Sequence, residues 1–197
     1  MVLLSGKLAL LRPVGREDYS LLVKWSSAPE ATHPLAGLFA ANLFRLSERS
    51  IEQLLDDESI LMVCAATDET FGYAMLYNVN PVNRHLNVGL FALEDCRPAV
   101  EMEAWLLLLD HVFAWYPVNV VYRHVVDVNP VDISLSISMG FEEEGALKDN
   151  VWFDHRFWTL HILALRREQW TNLGRQRFTD NIDYQIRYEQ HAAALER

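Results

Sequence analysis

The chain has 197 residues, 51% of them hydrophobic, and a formal net charge of −10. This length and apolar content are sufficient for one compact domain with a full core, and the acidic balance argues against a nucleic-acid partner, because contacts to phosphates need a basic surface. Apolar runs such as residues 105–109 are far too short to span a bilayer, and the N-terminal residues lack the basic start of a signal peptide. We therefore expect a cytoplasmic protein that does not bind membranes.

The first half of the chain predicts one strand, two helices and an antiparallel meander. Residues 7–12 have strand character, and residues 16–27 repeat apolar positions at helical spacing. Residues 28–44 contain two prolines and a glycine and are predicted to form a loop, after which a second helix begins near Ser47. Short polar turns then separate three predicted strands, at residues 60–67, 71–79 and 85–93.

The second half predicts a crossover helix between two parallel strands. Residues 98–116 are predicted to form the longest helix and are apolar over most of its circumference, so this helix should be buried centrally. Strand 119–127 should then lie parallel to strand 85–93, since a crossover connects parallel neighbours. A last strand at residues 152–165 completes an α/β (α+β) domain with a mixed, mostly antiparallel sheet of six to seven strands.

Residues 171–197 are predicted to be a helical extension of a domain that comprises residues 1–170. A helix that begins at Asp180 would carry its apolar side chains on one face. This face either docks on its own domain or forms a homodimer contact, through Ile182, Tyr184, Ile186, Tyr188 and Leu195.

The two cysteines and seven histidines do not form a metal-binding pattern. Cys64 lies within a predicted buried strand, where a thiol behaves as a small apolar group. Neither Cys64 nor Cys96 has a second cysteine at ligand spacing, and the histidines are scattered. No metal site is expected.

The most informative segment of the sequence is residues 125–145. It predicts a strand, a short helix after Asn129, and a second strand entered through Gly140, which suits the C-terminus of a helix. The residues that carry a recognisable pattern are Asn129, Leu135, Gly140, Phe141, Glu144 and Gly145. In this order they resemble the GCN5-related N-acetyltransferases and, within them, the ribosomal-protein alanine and serine acetyltransferases.

The resemblance extends over roughly residues 8–170. Leu11, Arg12 and Pro13 ahead of an apolar helix are similar to the family's opening, and the run 168–170 is similar to its close. The resemblance implies helices on both faces of the sheet and a cleft where strand 85–93, the family's fourth, splays from strand 119–127. It also implies transfer of an acyl group, usually acetyl, from a coenzyme A thioester to a primary amine of a small molecule or peptide.

The same resemblance implies where the coenzyme would bind. The backbone of Phe91, Ala92 and Leu93 would line the pantetheine slot, and Asn129 is assigned to the same site. The pyrophosphate would lie at the start of helix 98–116, where N–H groups and the helix dipole favour an anion. The family places glycines in this loop, whereas this chain has none, with Arg97, Pro98, Ala99, Val100, Glu101 and Met102 in their place.

Two interpretations of this degenerate loop are open. In the first, Arg97 still supplies a charge-assisted bond, and the remaining loop residues form a weakened CoA site despite the acidic Glu101. In the second, Pro98 at the first helical position and Asp95 as a cap simply start a structural helix, and CoA binding is lost or altered.

The acid–base positions also differ from the family pattern. Ser136 occupies the place of the tyrosine that protonates the leaving thiolate; it is a poorer donor, or an ordinary serine on the helix surface. Asn87 replaces the fourth-strand carboxylate and is assigned to the substrate pocket, and Thr159 replaces an aspartate of the last strand. His85 shares a strand face with Asn87 and is the candidate base, acting through water, or a structural histidine.

The amine is expected to enter over the loop 28–44, where His33 and Phe39 could contact it. The alternative function is a catalytically degenerate or repurposed protein of the same fold that binds another ligand or a protein partner. A nucleotide-binding α/β protein is disfavoured, because no G-x-G-x-x-G or G-x-x-x-x-G-K-[ST] motif follows a predicted strand.

Overall fold

The structure is a computed structural model that describes residues 4–27, 59–65, 69–93, 95–128, 130–153 and 155–195. Within these residues the strands form one eight-stranded sheet in the order β1-β2-β3-β4-β5-β6-β8-β7. The strands are β1 Leu4–Ser5, β2 Ala9–Pro13, β3 Ser59–Ala65, β4 Thr70–Asn80, β5 His85–Ala92, β6 Val120–Val126, β7 Glu142–Phe153 and β8 Arg156–Arg166.

Most neighbouring strands in this sheet are antiparallel, and β5 and β6 are the parallel pair. The predicted mixed, mostly antiparallel sheet is therefore confirmed. It has one strand more than predicted, because the two-residue β1 pairs with β2 at the edge. So short a strand has too few residues to show an alternating pattern.

The described helices are α1 Tyr19–Ser27, α2 Pro98–Trp115, α3 Pro130–Ser138 and α4 Arg175–Leu195, and a helical turn Arg167–Gln169 and a π-helical segment Trp170–Gly174 lead into α4. They lie on both faces of the sheet, as the resemblance implies. On one face, Trp25 of α1 stacks on Tyr73 of β4 with ring centroids 6.3 Å apart. Successive strand residues point to opposite faces, and Ala74 and Leu76 pack in the core that contains Leu108 of α2.

The start of α2 differs from the prediction in one respect. The N-cap position is Arg97 rather than Asp95, and it makes no side-chain capping bond. Pro98 occupies the first helical position, as predicted. Proline suits this position because its missing N–H would have no helical partner.

Gly140 has the role that the sequence predicts for it. It has a φ of 97°, in the region that favours glycine, directly after α3. The Phe141 N–H donates to the Ser136 carbonyl at 3.1 Å, which ends the helix and starts the approach to β7. The Phe141 side chain is buried, so the end of α3 is held against the sheet.

The prediction of one last strand at residues 152–165 is wrong at its start. Trp152 belongs to β7, and β8 begins only at Arg156 after a turn in which His155 has a φ of 59°. No glycine or proline marks this turn, and the aromatic residues on both sides have strand propensity. The sequence therefore shows one continuous strand where the chain makes a hairpin.

The C-terminal helix α4 packs against α2. Phe178 and Ile182 are buried in the core. Tyr184 and Tyr188 were predicted to lie on the same apolar face as Ile182, but they are 66% and 60% exposed. The helix begins at Arg175, five residues before the predicted start, because the helical turns after β8 continue directly into it.

Some predictions fall outside the described residues. These are the loop 28–44 with His33 and Phe39, the helix near Ser47, and Asn129. Among the helices that are described, none is long and apolar enough to cross a membrane.

Candidate functional site

Strands β5 and β6 separate partway along their length. They pair at three positions, the last of which joins Asn87 to Tyr122. Beyond that pair β5 continues to Ala92 and β6 continues to Val126 without pairing to each other. The predicted cleft between these parallel strands is confirmed, and we call it the fork.

One arm of the fork presents backbone N–H groups to it. The Leu93 N–H donates to the Phe71 carbonyl of β4 at 2.8 Å, away from the fork. Because peptide groups alternate in direction along a strand, the N–H groups that face the fork belong to Val88, Leu90 and Ala92. Of the three residues predicted to line the slot, Ala92 turns its N–H into the fork, whereas Phe91 and Leu93 turn theirs toward β4.

On the face of the sheet that carries α2 and α3, the fork is closed by an ionic cluster. Arg123, the first residue of β6 past its last pair with β5, is 3% exposed and forms an ion pair with Asp132 of α3. Its guanidinium also donates a hydrogen bond to Ser136 Oγ and lies 4.3 Å from the centre of the Trp105 ring of α2. This cluster joins β6, α2 and α3 below the fork.

Ser136, the predicted proton donor, is part of this cluster. It is completely buried, and its hydroxyl donates to the Asp132 carbonyl at 2.8 Å while accepting the bond from Arg123. Its proton therefore points along the helix rather than into the fork. Serine commonly makes this bond to the carbonyl four residues back, so protonation of a thiolate would require the hydroxyl to rotate.

The first turn of α2 lies where the resemblance places the pyrophosphate, and most of its donors are used internally. Pro98 has no N–H, and the N–H groups of Val100 and Glu101 donate to the Arg97 carbonyl at 2.9 and 3.1 Å. The Ala99 N–H is the donor of this turn that points away from the helix.

A carboxylate from the C-terminal helix occupies this position. The Ala99 N–H donates to Glu189 Oε1 at 2.9 Å. Nε and Nη2 of Arg97 donate to Glu189 Oε2 at 3.1 and 2.9 Å. Arg97 and Ala99, which were predicted to hold a phosphate, thus hold an acidic side chain of the same protein.

Three other side chains of this turn, those of Val100, Glu101 and Met102, are partly or fully buried. Glu101 is half-buried, and its pKa is raised by burial and, secondly, by the charge of Asp132. Val100 is buried, and Met102 packs against the core. The side chains of Val100 and Met102 therefore contribute to packing rather than to a surface at which a ligand could bind.

On the opposite face of the sheet an open cleft of about 520 Å³ lies beside the fork. It contains both of the polar residues that the sequence analysis assigned to strand 85–93, His85 and Asn87. Its lining comes from the end of β4 and from β5, β6 and β8, and consists of Asn78, Val79, Asn80, His85, Asn87, Tyr122, His124 and Ile162.

His124 and Tyr122 of β6 are residues of this cleft that the sequence analysis missed. Burial lowers the pKa of His124, so its imidazole is neutral at pH 7. Its Nδ1, like that of His85, is buried and has no hydrogen-bond partner within the described part of the chain. The alternation in strand 119–127 places both residues on one face, but the register that sets them beside His85 is not visible in the sequence.

Tyr122 separates the two imidazoles. Its ring packs edge-on against that of His85, with centroids 5.6 Å apart. Burial, followed by the negative charge of Glu144, raises the pKa of Tyr122, so its hydroxyl stays protonated at neutral pH.

Thr159, which replaces the family's aspartate of the last strand, does not line this cleft. It lies near the start of β8, where its N–H donates to Asp127 Oδ1 at 3.1 Å.

Solved structures of GCN5-related N-acetyltransferases align with most of this chain. One from Brucella melitensis is 18% identical, with a TM-score of 0.71 over 92% of this chain and 85% of its own. A spermidine N-acetyltransferase from Vibrio cholerae, in complex with CoA and spermine, is 18% identical, with a TM-score of 0.72 over 85% of this chain and 100% of its own.

The ribosomal L7/L12 alpha-N-protein acetyltransferase RimL, in complex with coenzyme A, is 11% identical, with a TM-score of 0.71 over 84% of this chain and 98% of its own. No protein-family model and no curated protein matches the sequence. The chain has the fold of the GCN5-related N-acetyltransferases. Because identities this low establish the fold alone, its activity has to be inferred from the site.

Proposed function

We propose that this protein is an acyl-CoA-dependent N-acyltransferase that moves an acyl group, in the simplest case acetyl, from a CoA thioester to a primary amine. The observation that carries the proposal is the fork between β5 and β6. It combines N–H groups that face an open space with an imidazole-lined cleft on one side. The Vibrio cholerae and RimL structures, which contain coenzyme A, support an acyl-CoA as the donor.

The backbone of β5 would act on the thioester. Attack by an amine turns the thioester carbonyl into an oxyanion, and N–H groups fixed in position stabilise that charge. The N–H groups of Val88, Leu90 and Ala92 face the fork and are held by the pairing of β5 with β4. Because these are backbone donors, they do not depend on which side chains the strand carries.

His124 is the residue that we assign as proton acceptor. The amine nitrogen attacks the thioester carbon, the carbon–sulfur bond breaks, and the proton lost by the nitrogen is taken up by the imidazole, directly or through water. His124 is the second residue of β6 past the last paired position and is neutral at pH 7. His85 lies deeper in the paired region and is the second candidate.

The acceptor remains a small amine or a peptide N-terminus. The described lining of the cleft contains three asparagines and no acidic side chain, so it offers mainly hydrogen bonds to an amine. The net charge of −10 favours the approach of a cationic amine from solution. The neighbours named above act on spermidine and on a ribosomal protein, which supports both classes equally.

The second candidate function is a catalytically degenerate or repurposed protein of this fold. It is favoured by the two features that occupy the donor face, the Arg123 cluster below the fork and Glu189 at the start of α2. On this hypothesis another ligand or a protein partner binds at the open cleft, and no acyl group is transferred.

The test combines acetyl-CoA binding with catalysis. Calorimetry on the purified chain should show a dissociation constant in the millimolar range or tighter, and thiol release should follow when polyamines, amino acids or peptides are added. His124→Asn should lower kcat by about 10²- to 10⁴-fold with little change in acetyl-CoA affinity. His155→Asn is the matched control, because His155 is exposed on the turn after β7 and asparagine tolerates its positive φ. Absence of both binding and thiol release would favour the second candidate.

A further inference from the structure

The contact between Glu189 and the start of α2 has the composition of an anion site. Phosphates bind at helix N-termini through backbone N–H groups, together with arginine side chains that supply charge-assisted bonds. Here the Ala99 N–H and two nitrogens of Arg97 bond to the two oxygens of one carboxylate at 2.9 to 3.1 Å. Glu189 therefore has the same kind of partners that a phosphate group of CoA would require.

No second outward-pointing donor is available in this turn. Pro98 has no N–H, and the next two N–H groups bond to the Arg97 carbonyl. The family's loop glycines, which would bring more backbone close to a ligand, are absent from this sequence. A diphosphate can therefore reach Ala99 and Arg97 only if Glu189 leaves them.

Glu189 is held in place by its own helix. Gln185, one turn earlier, donates to Glu189 Oε1 at 3.2 Å, and the buried Phe178 and Ile182 anchor α4 against α2. Burial acts to raise the pKa of Glu189, but the bonds from Ala99, Gln185 and Arg97 outweigh it, so the pKa is lowered. The carboxylate is therefore charged at neutral pH, and the site at the start of α2 is filled by an anion.

We propose that Glu189 is a specificity-determining residue of the donor site, an internal carboxylate that competes with the diphosphate of CoA for Arg97 and Ala99. This inference rests on the proposed function. The C-terminal end of α4 must move away from α2 before the diphosphate binds. Ligands that have the pantetheine arm but no diphosphate do not meet this competition.

The test compares two ligands in three forms of the full chain. CoA carries the diphosphate and pantetheine does not, and calorimetry gives the dissociation constant of each. Glu189→Gln removes the charge and keeps the side-chain shape. Asp183→Asn is the matched control, since it changes the net charge equally at an exposed position of the same helix.

Glu189→Gln should bind CoA at least about tenfold more tightly than the unmodified chain, which corresponds to one charge-assisted competitor removed. Pantetheine affinity should be the same in all three forms, and Asp183→Asn should resemble the unmodified chain with both ligands. Equal CoA affinity in the unmodified chain and Glu189→Gln would overturn the inference and leave the proposed function intact. Binding of pantetheine but not CoA in all forms would also overturn it. Absence of binding by both ligands in every form would instead overturn the proposed function.

A second measurement needs no variant. Hydrogen exchange on the unmodified chain should show faster exchange of the amides of residues 183–195 when saturating CoA is added, because this end of α4 is displaced. Pantetheine at saturation should leave those amides unchanged. Protection of these amides that is unchanged or increased by CoA would contradict the inference, since the helix would then stay on α2 while the coenzyme binds.

Discussion

Arg123 and His124 are neighbours in β6, and their side chains define two opposite regions of the fork. Arg123 is 3% exposed and forms an ion pair with Asp132 on the face covered by α2 and α3. His124 lines an open cleft of about 520 Å³ on the other face. One step along a strand thus separates a closed ionic cluster from an open, neutral site.

The comparison teaches that the backbone determines the shape of this site, whereas the side chains determine the chemistry of its two faces. The fork arises from strand pairing that stops after Asn87 and Tyr122. The two faces of the fork differ because one carries charges that satisfy each other and the other carries imidazoles that have no such partner in the described residues. The chain therefore keeps the backbone geometry of its fold while its own side chains close one face of the fork.

The largest expected effect comes from breaking the closed face. Arg123→Met should lower the free energy of unfolding by about 3–5 kcal/mol, because the buried Asp132 loses the guanidinium that compensates its charge. Urea denaturation followed by fluorescence measures the change. The double variant Arg123→Met, Asp132→Leu should recover most of this loss, since it removes both charges. A loss below about 1 kcal/mol in the single variant would show that the cluster is not a stabilising unit of the fold.

Ser136→Ala should have an intermediate effect on stability and a small effect on turnover. The variant leaves an Arg123 N–H without its hydroxyl acceptor, which should lower the free energy of unfolding by about 1–3 kcal/mol. If Ser136 serves only the closed face, kcat for acetyl transfer should change less than about threefold. A fall in kcat of a hundredfold or more, without a loss of acetyl-CoA affinity, would support the role as proton donor and show that the hydroxyl rotates into the fork.

The open face should respond to pH. Burial lowers the pKa of His124 in the folded state below 6.5, the value of an exposed histidine. At a pH between the folded-state and the unfolded-state pKa, the unfolded chain therefore binds more protons than the folded chain. Stability contributed by the neutral imidazole is therefore complete above pH 6.5 and is lost as the pH falls. Denaturation from pH 5 to 8 should show this loss, and the loss should be smaller in His124→Asn. Burial also lowers the pKa of His111, so part of the loss should remain in that variant.

The smallest effect on stability is expected at Glu189. Arg97 is 56% exposed, and ion pairs of that kind contribute about 0–1 kcal/mol. Glu189→Gln should therefore change the free energy of unfolding by less than about 1 kcal/mol, in contrast to Arg123→Met. A loss of 3 kcal/mol or more in urea denaturation would show that Glu189 has a mainly structural role, like Arg123.

Most of the fold was predictable because its signals are local. Gly140 at a positive φ, Pro98 at the first helical position and the apolar run of α2 each follow from neighbouring residues. The hairpin between β7 and β8 was missed because its sequence has no glycine or proline, and a single Asp154 is a weak turn signal between aromatic residues of strand propensity. His85 and Asn87 could be assigned to one face by alternation alone, and both lie in the cleft.

The partners of these residues could not be predicted, because they depend on distant contacts. His124 reaches the cleft through the register of β5 against β6, and a shift of one residue would turn it to the other face. Glu189 is 90 residues from Ala99 in sequence and is one of three acidic residues in α4. Local patterns contain no information about which of these carboxylates meets α2.

The amino-acid sequence by itself determined the order of strands and helices, the helix ends at Pro98 and Gly140, and a parallel pair of strands joined by a buried crossover helix. These follow from residue propensities and from the periodicity of apolar side chains, which act over a few residues. Only the tertiary structure decided that the start of α2 is occupied by Glu189 and that Arg123 closes one face of the fork. Packing of α4 and α3 sets those contacts, because it brings together charges that are far apart in the chain.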